Sequence, residues 1–366
     1  MQKIMHRLAY LDLLRIVSVF LVMWGHFVSV GGGAKAIPGV INPDLSPLPL
    51  IDQSQWCAYL LEIFLIEKFS TQSAILGVSL FFLVTGYLMP MMCARYNRKE
   101  FLLNRFFRIF PTLFAATALL GIFLWLTQGI TFDAATYLAS ITLTYPWLGV
   151  VPIAGVLWTL VVEVIFYVIS FLIGTFTFRR LILLQAILML VILLGVIYRG
   201  NYYFWLAGYQ SRFLLFITIG SAVFLAEKEK SFLTKLATLL PAIIFSYVGF
   251  QLFKFGKVDV STYENLGTHL LSATIFLGFT RLGPMVFKRI PKMVGMFADL
   301  VYPFYLVHVA IGLVTMAFVR QYLQQPYFML LSAILASLLV SWVLHQVIEK
   351  PAINFGRRFA KPQSSS

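Results

Sequence analysis

Long apolar runs, each interrupted by a short segment of Lys, Arg, Gly or Pro, repeat from one end of the chain to the other. Runs of that length without period-two alternation read as helices surrounded by lipid. Stretches able to cross a bilayer, at about 20 residues each, fall near 10–30, 74–92, 109–127, 153–174, 181–198, 205–226, 236–253, 265–280, 294–319 and 327–348. The fold expected is all-α, a polytopic membrane helical bundle of about ten transmembrane helices.

Composition agrees. Of 366 residues, 60% are hydrophobic and only 11% charged, against roughly 25% charged in a soluble domain. A soluble enzyme, a disordered chain and a coiled coil are excluded. Ten spans with short loops use up the chain as one membrane domain over residues 1–356, leaving 357–366 as a short cytoplasmic tail. The external loop 31–73 is the longest, and Gly31-Gly32-Gly33 with Pro38, Pro43, Pro47 and Pro49 makes it irregular. Its charges are mainly acidic (Asp44, Asp52, Glu62, Glu67), and residues 56–69 read as a short helix lying at the interface. Cys57 and Cys93 supply neither a disulfide framework nor a zinc spacing, and fall on opposite sides of the membrane.

A net charge of +14 invites a nucleic-acid reading. In a polytopic protein the ordinary cause of a basic surplus is the retention of Lys and Arg in cytoplasmic loops. With the N-terminus inside, 20 of the 28 Lys and Arg fall in cytoplasmic segments, 6 in external ones, and Arg15 and Arg212 within spans. Both termini are therefore expected to be cytoplasmic. Counting 133–152 as a further span would reverse the sidedness of everything after it, so it is read as external or re-entrant. Ala34-Lys35-Ala36 has the form of a signal-peptide cleavage site, but Asp12, Arg15 and His26 interrupt the preceding run. That interruption is expected of a functional span.

Ionisable residues inside a span are costly and usually face a cavity or a partner. They are Asp12, Arg15, His26, Glu163, Arg212, Asp299 and His308, with Arg105 and Arg108 at a cytoplasmic boundary. Arg15 and His26 are eleven residues apart, three helical turns plus about 20°, so they share one face about 16 Å apart along the axis. The plainer alternative is a snorkelling arginine and a packing histidine. Arg105 and Arg108 at i and i+3 share a face able to clamp phosphates bidentately; the alternative is that they are topology signals only. Glu163 at mid-span needs a partner from another helix, and an ion pair with Arg15 or Arg212 is its plain reading.

The motifs around these residues run in a recognisable order. Arg15-x10-His26 is followed by Phe81-Phe82-Leu83-Val84-Thr85-Gly86-Tyr87, by Arg105-x2-Arg108 with Pro111, and by Trp158-Thr159-Leu160-x2-Glu163 with Phe166-Tyr167. Tyr302-Pro303-Phe304-Tyr305-Leu306-x-His308 and Glu349-Lys350-Pro351 complete the series. Together they resemble the acyltransferase-3 family of integral membrane acyltransferases, over residues 8 to about 356. Many members carry a second acid where this chain has Val164, and many an appended esterase-like domain that is missing here. The latter departure points to a stand-alone transferase.

The resemblance implies transfer of an acyl group, most often acetyl from acetyl-CoA, to a hydroxyl of an extracytoplasmic glycan such as O-antigen, exopolysaccharide or another cell-envelope sugar. It implies a multi-pass protein of a bacterial inner membrane. Its partners would be acyl-CoA, a glycan or lipid-linked glycan acceptor and membrane lipid, with neither metal nor nucleic acid. Arg105 and Arg108 would hold the coenzyme phosphates at the inner mouth, with Arg15 further up and Arg212 counted among the cofactor-binding arginines. His26 would act as general base, and Glu163 would orient its imidazole or stabilise its charged form. Cys93 has no adjacent base, which favours direct transfer over an acyl-enzyme. The rival class is a secondary transporter or flippase with a buried Arg, His and Glu pathway; within the enzyme class, succinyl-CoA or a small-molecule acceptor stays open.

Overall fold

A computed structural model of the protein describes residues 9–30, 57–255, 266–286, 292–323 and 325–359. Lys3 and Arg7, the loop stretch 31–56, Lys257, Lys288, Arg289 and residues from 360 onward lie outside the described residues. Within them the fold is all-α and without strands: α1 (Ala9–Trp24), α2 (Leu60–Phe69), α3 (Ser73–Arg95), α4 (Arg98–Gln128), α5 (Ala134–Ile141), α6 (Tyr145–Leu148), α7 (Leu157–Ile173), α8 (Phe178–Ile197), α9 (Tyr202–Lys228), α10 (Phe232–Phe255), α11 (Leu266–Val286), α12 (Lys292–Arg320), α13 (Pro326–Leu344) and α14 (Lys350–Phe359). Two π-helical turns, Gly25–Val30 and His345–Glu349, extend α1 and join α13 to α14.

Eight helices among the described residues are long and apolar enough to cross a membrane. The apolar α7, at 17 residues, and α11, at 21, stand beside them at the remaining two sites where the sequence pattern placed spans. Two boundaries differ from expectation. The span predicted at 109–127 starts at Arg98, because Asn97 and Glu100 form a reciprocal cap, with Glu100 N donating to Asn97 Oδ1 at 2.9 Å and Asn97 N to Glu100 Oε2 at 3.1 Å. The resulting 31-residue helix, about 46 Å long, carries Arg105 and Arg108 on rigid backbone. At the other end, helix continues to Phe359, so Arg357 and Arg358 belong to α14 rather than to a tail.

The stretch 133–152 holds only the eight-residue α5, capped by Asp133, and the four-residue α6. At 1.5 Å per residue neither can cross a bilayer.

Helices α3, α9 and α12 form the interior, while α8, α10 and α13 lie at the periphery. The outer face of α8 presents Leu183, Ile187, Leu190 and Ile197 outward, an apolar stripe suited to lipid. With no hydrophobic drive between helices in lipid, close packing relies on small residues. At the α3–α9 crossing, a Cβ added to Gly86 would lie 1.9 Å from the Ile217 carbonyl oxygen, and one added to Gly220 would lie 2.1 Å from that of Leu83. Ser221 Oγ donates across this contact to the Gly86 carbonyl at 2.7 Å. This close crossing holds α3, and with it Thr85, against the wall of a deep cavity.

Candidate active site

A cavity of about 820 Å³ opens among α1, α3, α4, α7, α12 and the α13–α14 junction. Its walls follow from helical periodicity. Thr159, Glu163 and Tyr167, four residues apart, line it from α7; Asp12 and Arg15 from α1; Arg105 and Arg108 from α4; Tyr302 and Tyr305 from α12. Arg95, Tyr96, Asn104 and Arg357 extend the polar lining, and Val78, Phe81, Phe82, Leu88 and Met89 make an apolar wall along α3.

Five arginines face the cavity (Arg15, Arg95, Arg105, Arg108 and Arg357) against four carboxylates (Asp12, Glu163, Asp299 and Glu349). Two of the carboxylates face nitrogen groups of neighbouring side chains. Asp12 Oδ1 lies 3.9 Å from Arg15 Nη1, and Glu349 Oε2 lies 2.7 Å from His345 Nδ1 across the π-helical turn. Arg105 packs over the Tyr167 ring at 5.4 Å and donates from Nη2 to Asn104 Oδ1 at 2.8 Å, while its buried Nε lacks a hydrogen-bond partner among the described residues. A buried guanidinium donor left unmatched in a cavity wall is suited to an anionic ligand.

Glu163 accepts from Thr85 Oγ1 at 3.2 Å and from the Tyr167 hydroxyl. Arg15 and Arg105 line the same cavity. The side chain bonded to His26 is His308, with His26 Nδ1 at 3.1 Å from His308 Nε2. His308 is fully buried, stacked on Phe304 at 5.6 Å, with its Nδ1 2.9 Å from the Tyr305 carbonyl and 3.2 Å from that of Phe304. Phe27 shields the ring from another side, seated where any residue other than Gly312 would collide with it.

Hydrogen-bond logic fixes the tautomers when both rings are neutral. Backbone carbonyls only accept, so His308 Nδ1 carries the proton and its Nε2 is an acceptor. His26 then donates from Nδ1, which leaves His26 Nε2 with a free lone pair. A π-helical turn holds His26 here, a device frequent at functional sites. Gly25 permits it, since a Cβ at that position would meet Ala74 at 2.6 Å.

Of the residues singled out from sequence, Arg15, Arg105, Arg108 and Glu163 line one cavity. His26 does not line it; His26 meets His308, one helical turn beyond Tyr305, which does. Arg212 is apart from this group. It is fully buried on α9, its guanidinium 4.2 Å from the Tyr209 ring centre and 5.0–5.2 Å from those of Phe213, Phe250 and Phe253. Aromatic faces stabilise a cation, and Arg212 does not line the cavity that holds Arg15, Arg105 and Arg108.

Sequence reasoning gave no site role to His308, Tyr305, Tyr167, Arg95 or Arg357. A signal existed for three of them. Tyr302, Tyr305 and His308 recur every third residue on one helix face, and Tyr167 lies one turn after Glu163. Arg95 and Arg357 were indistinguishable from the basic residues of any cytoplasmic loop.

A family model described as an acyltransferase domain matches residues 8–346. Comparisons with curated proteins and with solved structures return no match.

Proposed function

Since the chain belongs to the acyltransferase-3 family, we propose that this membrane acyltransferase moves an acyl group, acetyl foremost, from cytoplasmic acyl-CoA to a hydroxyl of an extracytoplasmic glycan in a bacterial cell envelope. The observation that carries this reading is a cavity with Arg95, Arg105, Arg108 and Arg357 among the five arginines of its wall and Tyr305, one turn from the His26–His308 pair, also lining it. The arginines fall at the cytoplasmic ends of their helices by the distribution of Lys and Arg along the chain. A polyanionic coenzyme is a cytoplasmic ligand, and this is where it would enter.

Arg105 and Arg108 hold the coenzyme phosphates, as a planar guanidinium pair suits them, and Arg15 meets the donor further in. The apolar wall of Leu88, Met89 and Phe81 accepts the uncharged arm that carries the thioester. His26 Nε2 removes the proton from the attacking sugar hydroxyl, help typically worth about 10²- to 10⁴-fold. His308 fixes the tautomer that makes this nitrogen basic. Glu163 balances the arginine charge and holds Tyr167 and Thr85 in the wall.

The test is transfer by purified protein in liposomes. Labelled acetyl-CoA supplied from one side should pass label to an envelope glycan extract, and mass spectrometry should find one added acetyl group per modified sugar. Movement of a solute across the vesicle with no acylation would overturn the reading in favour of a transporter.

A further inference from the structure

The cavity and the histidine pair are separated by a single side-chain contact. Tyr305 and Thr159, on α12 and α7, both line the cavity, and their hydroxyl oxygens lie 2.7 Å apart. Direction follows from the neighbours: Thr159 Oγ1 is 3.0 Å from the Val156 carbonyl, which can only accept. The Thr159 proton is committed there, so Tyr305 donates to Thr159 Oγ1. Tyr305 is thus a hydroxyl donor resting on a neutral acceptor, in the wall of a substrate-sized cavity.

Tyr305 also touches the other side. Its backbone carbonyl accepts from His308 Nδ1 at 2.9 Å, and its ring centre lies 5.9 Å from that of His308, which is in turn 5.2 Å from the ring of His26. The edge of the ring is braced by Phe81 at 5.7 Å. One residue therefore presents a proton donor to the cavity while fixing, through its main chain, the tautomer of the base-bearing pair.

Resting on the acyl-CoA reading above, we propose that Tyr305 is a catalytic residue whose hydroxyl leaves Thr159 and donates to the thioester carbonyl oxygen as the acceptor attacks. In the step, the sugar oxygen forms a bond to the acyl carbon and its proton passes to His26 Nε2. The carbonyl oxygen gains negative charge, which the Tyr305 O–H stabilises by hydrogen bonding. Collapse of that intermediate breaks the carbon–sulfur bond, and the proton on His26 neutralises the departing thiolate, so charge and protons balance. Exchanging one neutral acceptor for a developing oxyanion favours the transition state over the resting state. Loss of one such donor typically costs about 10²- to 10³-fold in kcat.

Tyr305→Phe keeps the ring, its brace on Phe81 and the carbonyl that holds His308. Its kcat for acetyl transfer should fall about 10²-fold, with the dissociation constant for acetyl-CoA within about twofold of the parent protein. A kcat within twofold of the parent, or a loss confined to binding, overturns the proposal. Thr159→Val serves as the second variant, and the one that decides if Tyr305→Phe does not fold. Removing the resting acceptor frees the hydroxyl for substrate, so KM for acetyl-CoA should drop by about threefold to tenfold, the usual worth of one neutral hydrogen bond. A raised KM counts against the proposal. If the parent protein itself neither binds acetyl-CoA nor transfers acetyl, the broader reading fails and this proposal with it. A parent that transfers normally beside an unaffected Tyr305→Phe overturns the Tyr305 role alone.

Discussion

His26 Nδ1 faces His308 Nε2 at 3.1 Å, joining two helices whose histidines are 282 residues apart in the chain. Because His308 is anchored by two carbonyls of its own helix, the bond works as a relay that leaves the outer nitrogen of His26 unprotonated. The pair accounts for a neutral base in a region where a lone charged group is costly. It also assigns His308 a role that the sequence motif alone left open.

His308→Ala should lower kcat by about 10²-fold, near the lower end of what general-base help supplies, because the His26 ring loses the side chain bonded to its Nδ1. His26→Ala should lose at least as much. The double variant should be no slower than His26→Ala alone, since the two rings act as one unit. Initial acylation rates at equal membrane abundance check this; additive losses would separate the two residues.

Replacing both Arg105 and Arg108 by Ala should weaken acetyl-CoA binding by at least about tenfold per arginine, as expected for charge-assisted hydrogen bonds of about 1.5–3 kcal/mol. The thermal stability of the protein should change little, because both side chains face the cavity. Arg212→Ala should do the reverse. It empties a cage of four aromatic rings, lowering the melting temperature while the remaining folded protein binds the coenzyme normally. Titration calorimetry beside thermal unfolding in detergent distinguishes these outcomes.

The difference between those arginines shows what could be read in advance. Apolar runs set the spans, since they respond to lipid as solvent and need no tertiary information. The i and i+3 spacing of Arg105 and Arg108 set a shared face, and the structure turns that face to the cavity. Arg212 looked equivalent because a sequence records that a cation is buried but not whether rings or an opening surround it. The partner of His26 was hidden for a related reason. Glu163 and His308 are both intramembrane polar groups at large separation, and only helix packing decides which one reaches the imidazole. The length of α4 was underestimated because hydropathy ends where charge begins, while helix continues to the Asn97 cap.

Gly86→Ala should destabilise the bundle by about 3 kcal/mol, at the upper end of ordinary overpacking. The added carbon would lie 1.9 Å from a backbone oxygen of α9, which cannot move aside as a flexible side chain would, and the Ser221 bond to the Gly86 carbonyl would stretch. A lower yield of folded protein and an earlier thermal transition are expected. An unchanged transition would mean that α3 and α9 stand further apart than described.

Glu163→Gln separates charge from shape. The amide can still accept from Thr85 and Tyr167, the two groups that hold the carboxylate in the wall. What disappears is one carboxylate of a cavity that Arg15 and Arg105 also line. If Glu163 serves to balance those arginines, the more positive cavity should bind the polyanionic donor at least as tightly as before, and more tightly at low salt, where fields between separated charges are least screened. The acylation rate at saturating acetyl-CoA should fall by less than about tenfold, well short of the loss of a general base. Glu163→Ala removes the acceptor as well and should cost more, because the buried Tyr167 hydroxyl loses its partner. A loss in Glu163→Gln as deep as that of His26→Ala would instead place the carboxylate in the proton-transfer step itself.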